Sequence, residues 1–542
     1  MKLSSHKSKP AWLEEAIFYQ IYPQTFYDTN GDGIGDIPGI IEKLDHIQSL
    51  GVNAVWLNPC FESPFQDAGY DVADYYQVAP RYGTNADLKH LFIEAGKRGI
   101  RVLLDLVPGH TSIQHPWFKE SCKAERNQYS DYYIWTDSAW KWDVPGYRVV
   151  SGFAQRDGSY ITNFFYSQPA LNYGFACPDP GQPWQQPVDA PGPQQVRKEI
   201  KNIIRFWLEM GASGFRVDMA GSLVKADPGN QGTIKFWQEI RSWLDEEFPE
   251  ACLLSEWAQP SLAIPAGFHM DFCLPFGMPG YTALLRKPYG SGPGNDPYGS
   301  SFFDSLGHGN IMEFLDDYLR HYHNILGNGY MALPTGNHDI YPRLSKGRTT
   351  SDIELVFLFI LTMPGVPIIW YGDEIGMHSF DDLNSKEGGY NRTGIRTPMQ
   401  WTNETNAGFS TARPEELYLP IDPSPDRPTV FNQEKDPDSL LQRVRKLAAI
   451  RKTNPALQAS AAFNILFAQP GMYPLVYQRG NDEESFIIAI NPSSQNVEVD
   501  FPSHSSNLPQ TIYGPDGVFT HKNNLLNIHL PGVSGGIYRM IK

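Results

Sequence analysis

Gly211-Ala-Ser-Gly-Phe-Arg-Val-Asp-Met-Ala220 carries an apolar run that ends in a carboxylate, Asp218. Side chains alternate along a strand, so Phe215 and Val217 face one way while Arg216 and Asp218 share the other face. A cation beside the acid favours its ionised form and lowers its pKa, which suits a carboxylate nucleophile rather than an acid catalyst. Alone, Arg-x-Asp reads as a structural ion pair. Two further acids change that reading, because each closes a later apolar run: Glu256 in Ala251-Cys-Leu-Leu-Ser-Glu-Trp257 and Asp339 in Gly329-Tyr-Met-Ala-Leu-Pro-Thr-Gly-Asn-His-Asp339. In a parallel barrel such strand ends converge on one face, where active sites are built. A pair of acids ~5 Å apart, one ionised and one protonated, is the constellation of retaining glycoside hydrolysis.

Outward from this stretch the chain alternates between strand and helix patterns. Ala16–Tyr22, Val52–Leu57 and Ile100–Leu106 read as the first three strands. Between the first two, Ile40, Ile41, Leu44 and Ile47 line one face of a helix stopped near Gly51; before the third, Thr84 to Asp87 form a capping box ahead of Leu88, Leu91 and Phe92. After His110 the period fails for about 65 residues that include Trp135, Trp140 and Trp142, and a helix through Val196, Ile200, Ile203, Ile204 and Trp207 then restores it. Met270–Leu274 is the sixth strand, residues 280–312 a Gly/Pro-rich loop, and Pro364–Glu374 holds the eighth strand. From about Ala461, short β-branched runs at 485–490, 497–499, 525–530 and 536–540 suggest antiparallel strands.

The predicted fold is α/β: a (β/α)8 TIM barrel with an insertion domain after strand three and a C-terminal antiparallel β-sandwich. The expected boundaries are 1–110 and 176–455 for the barrel, 111–175 for the insertion and 456–542 for the sandwich.

The 542 residues suit a barrel of about 250 residues or more with insertions and an appended domain. Lys plus Arg total 44 against 60 Asp plus Glu, a net charge of −16, which argues against nucleic acid and anionic membranes as partners and fits a neutral small-molecule substrate. Aromatic residues, 13% of the chain, can stack on sugar rings. The first ten residues carry no apolar segment of a signal peptide, and no stretch reaches the ~18 apolar residues of a membrane span. Five cysteines without CxxC pairs suggest reduced thiols and the cytoplasm.

Asp28-Thr-Asn-Gly-Asp-Gly-Ile-Gly-Asp36 matches the first nine positions of a calcium loop: side-chain oxygens at Asp28, Asn30, Asp32 and Asp36, a turn at Gly33 and a backbone carbonyl at Ile34. It is not an EF-hand, since Gly39 stands where a bidentate Glu is needed.

Gly214-Phe-Arg-Val-Asp218, the Glu256 strand end and Asn337-His-Asp339 are similar to the signature segments of the α-amylase family, family 13 of the glycoside hydrolases. Asp105-Leu-Val-Pro-Gly-His110 agrees except at Gly109, where the family usually has Asn. The resemblance runs from about Trp12 to the C-terminus. It implies that Asp218 is the nucleophile, Glu256 the acid/base and Asp339 the acid that orients the sugar hydroxyls. In Ala68-Gly-Tyr-Asp71 it puts Tyr70 under the sugar and makes Asp71 a partner of its distal hydroxyls; His110, Arg216, His338 and Arg392 complete the implied substrate-binding set. The insertion then forms one wall of the cleft. The Asp28–Asp36 loop would hold structural Ca²⁺, as in related α-glucosidases, while Gly109 removes the amide that amylases offer to their usual calcium.

Arg392 and the following Arg396-Thr-Pro-Met-Gln-Trp401 resemble exo-acting α-glucosidases, oligo-1,6-glucosidases and trehalose synthases, in which the first arginine pairs with the Asp71 equivalent behind the −1 sugar. Gly221-Ser-Leu after the nucleophile, in place of the Lys-His of endo enzymes, agrees with a closed pocket. Asp71-Val-Ala-Asp-Tyr and Asn406-Ala-Gly-Phe-Ser410 resemble trehalose synthase, whereas Trp257-Ala-Gln and Asn337-His-Asp-Ile-Tyr-Pro-Arg343 resemble glucosidases. Gln168-Pro-Ala-Leu-Asn172 departs from the family at Ala170, where Asp is usual. The expectation is a retaining exo-α-glucosidase acting on short oligosaccharides; a trehalose synthase or other α-glucosyltransferase is the alternative, and a non-catalytic carbohydrate-binding or transporter-accessory protein a remoter one.

Overall fold

The structure is a computed structural model that describes residues 9–541 apart from 288–299, 382, 389–391, 482, 503–506 and 523–524. Eight strands close into a barrel: β1 Phe18–Ile21, β2 Ala54–Leu57, β3 Arg101–Leu106, β4 Gly214–Val217, β5 Cys252–Ser255, β6 Met270–Phe272, β7 Tyr330–Pro334 and β8 Val366–Trp370. Each pairs in parallel with its chain neighbour, and β8 closes on β1. Apart from Arg101 at the start of β3, the strands are buried throughout, as strands covered on both faces must be. Alternation sorts their side chains: Leu103, Leu254, Phe272 and Ile368 pack together in the lumen, whereas Phe215 and Val217 join the layer beneath the helices.

A helix follows each strand. Those after β3 and β4, Pro191–Met210 and Gln231–Glu247, are long and bury Ile200, Ile204, Trp207, Phe236 and Trp237. The Thr84 capping box forms, with Asp87 Oδ2 accepting from Thr84 N at 2.8 Å, an arrangement worth about 1 kcal/mol. Two expectations change. The first helix is broken at Lys43 into Ile37–Glu42 and Leu44–Ser49, because Lys43 leaves helical backbone (φ −100°, ψ 5°) and lies over the Tyr27 ring. Within 280–312 the apolar run Gly280–Leu285 is a helix burying Tyr281, Leu284 and Leu285, and another begins at Ile311; the remainder of that expected loop falls partly outside the described residues.

Between β3 and its helix, the chain carries a small antiparallel pair, Arg148–Val150 with Tyr160–Thr162, backed by the packed rings of Phe118, Trp135 and Tyr160. At the C-terminal end, a five-stranded and a three-stranded antiparallel sheet face each other. Val476, Ile487 and Ala489 of one meet Val499, Phe501, Leu526 and Ile528 of the other, which makes this a sandwich. No helix among the described residues is long and apolar enough to cross a membrane.

Candidate active site

In the barrel register Arg216 on β4 lies directly opposite Asp105 on β3, both pointing into the lumen. Arg216 Nη1 reaches Asp105 Oδ1 at 2.8 Å and Asp218 Oδ1 at 3.0 Å, and its Nη2 reaches Glu256 Oε1 at 2.8 Å. Three carboxylates from three consecutive strands thus surround one buried guanidinium. Asp105 also accepts from Trp56 Nε1 at 3.0 Å and Tyr70 Oη at 2.9 Å. Asp218 and Glu256 thus sit on the two terminal nitrogens of one guanidinium, and Met219 N donates to Glu256 Oε2 at 3.1 Å.

One positive charge does not offset the desolvation of three acids. Burial pushes Asp105 up to about 6, Asp218 to about 7 and Glu256 to about 8, with Arg216 opposing each rise. Arg216 does act to lower the Asp218 pKa, as expected, but burial outweighs it, so the net shift is upward rather than the expected depression. The two carboxyls interact and titrate as a pair, so one proton stays after the other has left, which is the division of acid and nucleophile that such chemistry needs.

Asp339 has the opposite environment. Burial resists its ionisation, but the guanidiniums of Arg392 and Arg396 hold its carboxyl well below the usual range. Both arginines bind Oδ1, Arg396 at 2.9 Å, while His338 Nε2 lies 3.3 Å from Oδ2. The His338 ring stacks on Tyr70 at 5.2 Å between centroids, and burial keeps the imidazole neutral. His110 is likewise neutral, pushed down to about 4 by burial; its Nε2 meets Tyr70 O at 3.0 Å and its Nδ1 accepts from Asn163 at 3.1 Å.

The expected Asp71–Arg392 pair does not form. Arg392 pairs with Asp67, which also accepts from Gln168 Nε2 at 2.8 Å. Asp71 is fully buried and turned into its own loop, accepting from Asp67 N, Gln66 N and Ser63 Oγ, each at 3.0 Å. It shapes the turn that presents Asp67. Sequence reasoning also missed Asp105, Arg396, and the aromatic side of the site, Phe164, Trp257 and Phe276. The Gly221-Ser-Leu departure has a steric reason, since a Cβ at Gly221 would stand 2.4 Å from the Trp257 indole nitrogen.

Near Gly109 the side chain of Asn163 stands against the backbone, and Lys225 Nζ lies 3.4 Å from Asn163 Oδ1 while donating to Ser222 O at 2.8 Å. An ammonium group occupies the junction between barrel and insertion. In the Asp28–Asp36 loop the donors are the hard oxygens a Ca²⁺ ion takes. Asp28 Oδ1 accepts from Asn30 N and Gly31 N, Asn30 Oδ1 from Asp32 N, Asp32 Oδ1 from Ile34 N, and Asp36 caps the next helix through Gly39 N. Among the described residues no three His, Cys, Asp or Glu side chains gather as a metal cluster, so a cation here would draw on Asn30 and the Ile34 carbonyl as well as the aspartates.

Asp218, Glu256, Asp339, Tyr70, His110, Asp67 and Arg392 all line one cavity of about 630 Å³ at the C-terminal ends of the strands. That volume suits a small ligand.

The family profile described as alpha amylase, catalytic domain, matches residues 20–460. The trehalose synthase/amylase TreS of Mycobacterium tuberculosis (strain CDC 1551 / Oshkosh) is 32% identical over an alignment covering 93% of this chain and 86% of that protein. The oligo-1,6-glucosidase of Parageobacillus thermoglucosidasius is 30% identical, covering 91% and 92%. Among solved structures, an inactive double mutant of MutB in complex with isomaltulose superposes with a TM-score of 0.79 at 25% identity, covering 98% of this chain and 100% of that one. With the family profile spanning most of the chain and the three acids gathered at the barrel's catalytic face, the protein is an enzyme of the α-amylase family, glycoside hydrolase family 13, in the branch that holds α-glucosidases and trehalose synthases.

Proposed function

We propose that the chain is a retaining, exo-acting α-glucosidase that releases glucose from the non-reducing ends of short oligosaccharides. The observation that carries this reading is the Asp67–Arg392–Asp339 cluster at one end of the cavity. Its charge-assisted hydrogen bonds fill the space a preceding sugar would need and offer partners to the terminal hydroxyls of a single glucosyl unit. The binding of Asp218 and Glu256 to the two terminal nitrogens of one guanidinium supports retention, because inverting enzymes keep their carboxyls about 6.5–9.5 Å apart to admit a water.

In this mechanism the Glu256 proton passes to the glycosidic oxygen as Asp218 attacks the anomeric carbon, the C–O bond breaks, and the aglycone leaves as an alcohol. Glu256, now ionised, takes a proton from water; the water oxygen attacks the same carbon and Asp218 leaves as carboxylate. Two inversions give net retention. Asp339, held ionised, binds two hydroxyls and favours the distorted ring.

The aromatic side of the cavity favours a second reading. Phe164, Trp257 and Phe276 line the same cavity, and a site that retained the departing sugar against such rings would transfer the glucosyl group to it instead of to water. Incubation with maltose separates the two. Glucose as the dominant product supports hydrolysis; trehalose at nearly constant total disaccharide would replace it with synthase activity.

The Asp28–Asp36 loop is assigned Ca²⁺ on the chemistry of its donors. Five free cysteines, three of them buried, support a reducing compartment, the cytoplasm. Recovery of the native protein in an osmotic-shock fraction would refute that placement.

A further inference from the structure

Glu387 lies in the excursion after β8, is 5% exposed, and uses both carboxylate oxygens. Oε1 accepts from Gln24 Nε2 at 3.0 Å and from the Tyr418 hydroxyl; Oε2 accepts from the Tyr22 hydroxyl at 2.7 Å and pairs with Arg396 Nη1 at 3.3 Å. The Arg396 guanidinium is thereby held along three directions, with Nε on the His338 carbonyl at 2.8 Å and Nη2 on Asp339 Oδ1 at 2.9 Å. The next residue, Gly388, donates its N–H to Gln66 O at 2.9 Å. Its backbone, at φ +76°, passes so close to the pocket floor that a Cβ would stand 2.8 Å from Arg392 Nη2 and 3.2 Å from Asp67 Oδ1.

We propose that Glu387 is a positioning residue of the sugar site. It anchors Arg396 so that both arginines bind Asp339 through Oδ1, leaving Oδ2 for substrate hydroxyls, and it pins Gly388 over the Asp67–Arg392 pair. Charge supports this division. Arg392 and Arg396 together exceed the charge of Asp339, and Asp67 and Glu387 each balance one of them from the far side. The neutral donors Tyr22, Gln24 and Tyr418 fix Glu387 without competing for Arg396. This role rests on the glucosidase reading, since the geometry it protects is that of a bound glucosyl unit.

Glu387→Gln tests it, because the amide keeps the volume and can still accept from a tyrosine but presents no charge to Arg396. With 4-nitrophenyl α-D-glucoside and the full-length enzyme, kcat should fall about 10- to 100-fold per folded molecule while KM changes less than about threefold. Tyr418→Phe removes one anchor of Glu387 and no charge; it should lower kcat about threefold at unchanged KM. Wild-type kcat in either variant, or a loss that matches only the loss of folded protein, overturns the role. A wild-type enzyme that releases no nitrophenol refutes the glucosidase reading and this role with it, whereas normal wild-type turnover matched by both variants refutes the role alone.

Discussion

Replacing Glu256 by Gln should shift the stability of the folded enzyme progressively in the variant's favour as the pH rises, until the variant is the more stable of the two near neutrality. Burial lifts the Glu256 carboxyl to about 8, whereas an unfolded chain releases that proton near 4.5. Between those values the native state holds a proton that the unfolded state has lost, so the wild type loses stability as pH climbs. At ~1.4 kcal/mol per pH unit, the cost is about 1 kcal/mol at pH 5 and about 3 kcal/mol at pH 7. Gln carries no such proton. Its amide cannot satisfy both Arg216 Nη2 and Met219 N as acceptor, which subtracts about 1–2 kcal/mol at every pH. The pH-dependent gap therefore carries the information, and it should grow by roughly 2 kcal/mol from pH 5 to pH 7. Thermal scans of wild type and variant at one scan rate, stepped from pH 5 to pH 8, measure it as a few °C of relative Tm. A gap that is constant, or that shrinks with pH, would refute the claim that burial controls this carboxyl.

Asp218→Asn should lower turnover of an α-glucoside by about 10⁴-fold or more with the fold retained, and fresh wild-type product should be the α-anomer by NMR. Asp67→Asn should cost about 10²-fold in kcat/KM at nearly unchanged Tm, because Arg392 keeps Asp339; Asp71→Asn should lower Tm as well, since three donors of its own loop lose their charged acceptor. Chelation with EDTA should lower Tm, with recovery on adding Ca²⁺, while kcat measured on the still-folded enzyme stays within about twofold; an unchanged Tm would remove the ion from the Asp28–Asp36 loop.

Regular elements were legible because their signals are periodic. The apolar strands, the Thr84 capping box and the Val196–Trp207 stripe each repeat at the spacing of their secondary structure, and the acids at 218, 256 and 339 sit where those repeats stop. Loops carry no such period. Asp67 and Asp71 stand four residues apart in one turn, and only the fold decides which carboxylate faces Arg392 and which turns inward to bind its own backbone. The Asp105–Arg216 contact depends on barrel register, which pairs positions more than a hundred residues apart. The upward Asp218 shift was illegible for a related reason: the sequence shows Arg216 as its neighbour, but neither the burial that outweighs that cation nor the sharing of the guanidinium with Asp105 and Glu256.

That shared guanidinium limits how the lineage can change. A descendant that keeps the barrel but abandons chemistry cannot drift at Arg216, Asp105, Asp218 and Glu256 one position at a time without passing through a state with an unbalanced buried charge. Loss of Arg216 alone strands three acids, while loss of the acids alone strands the cation. Relatives that have become mere sugar binders should therefore show these four positions altered as a block, often toward apolar residues of similar bulk.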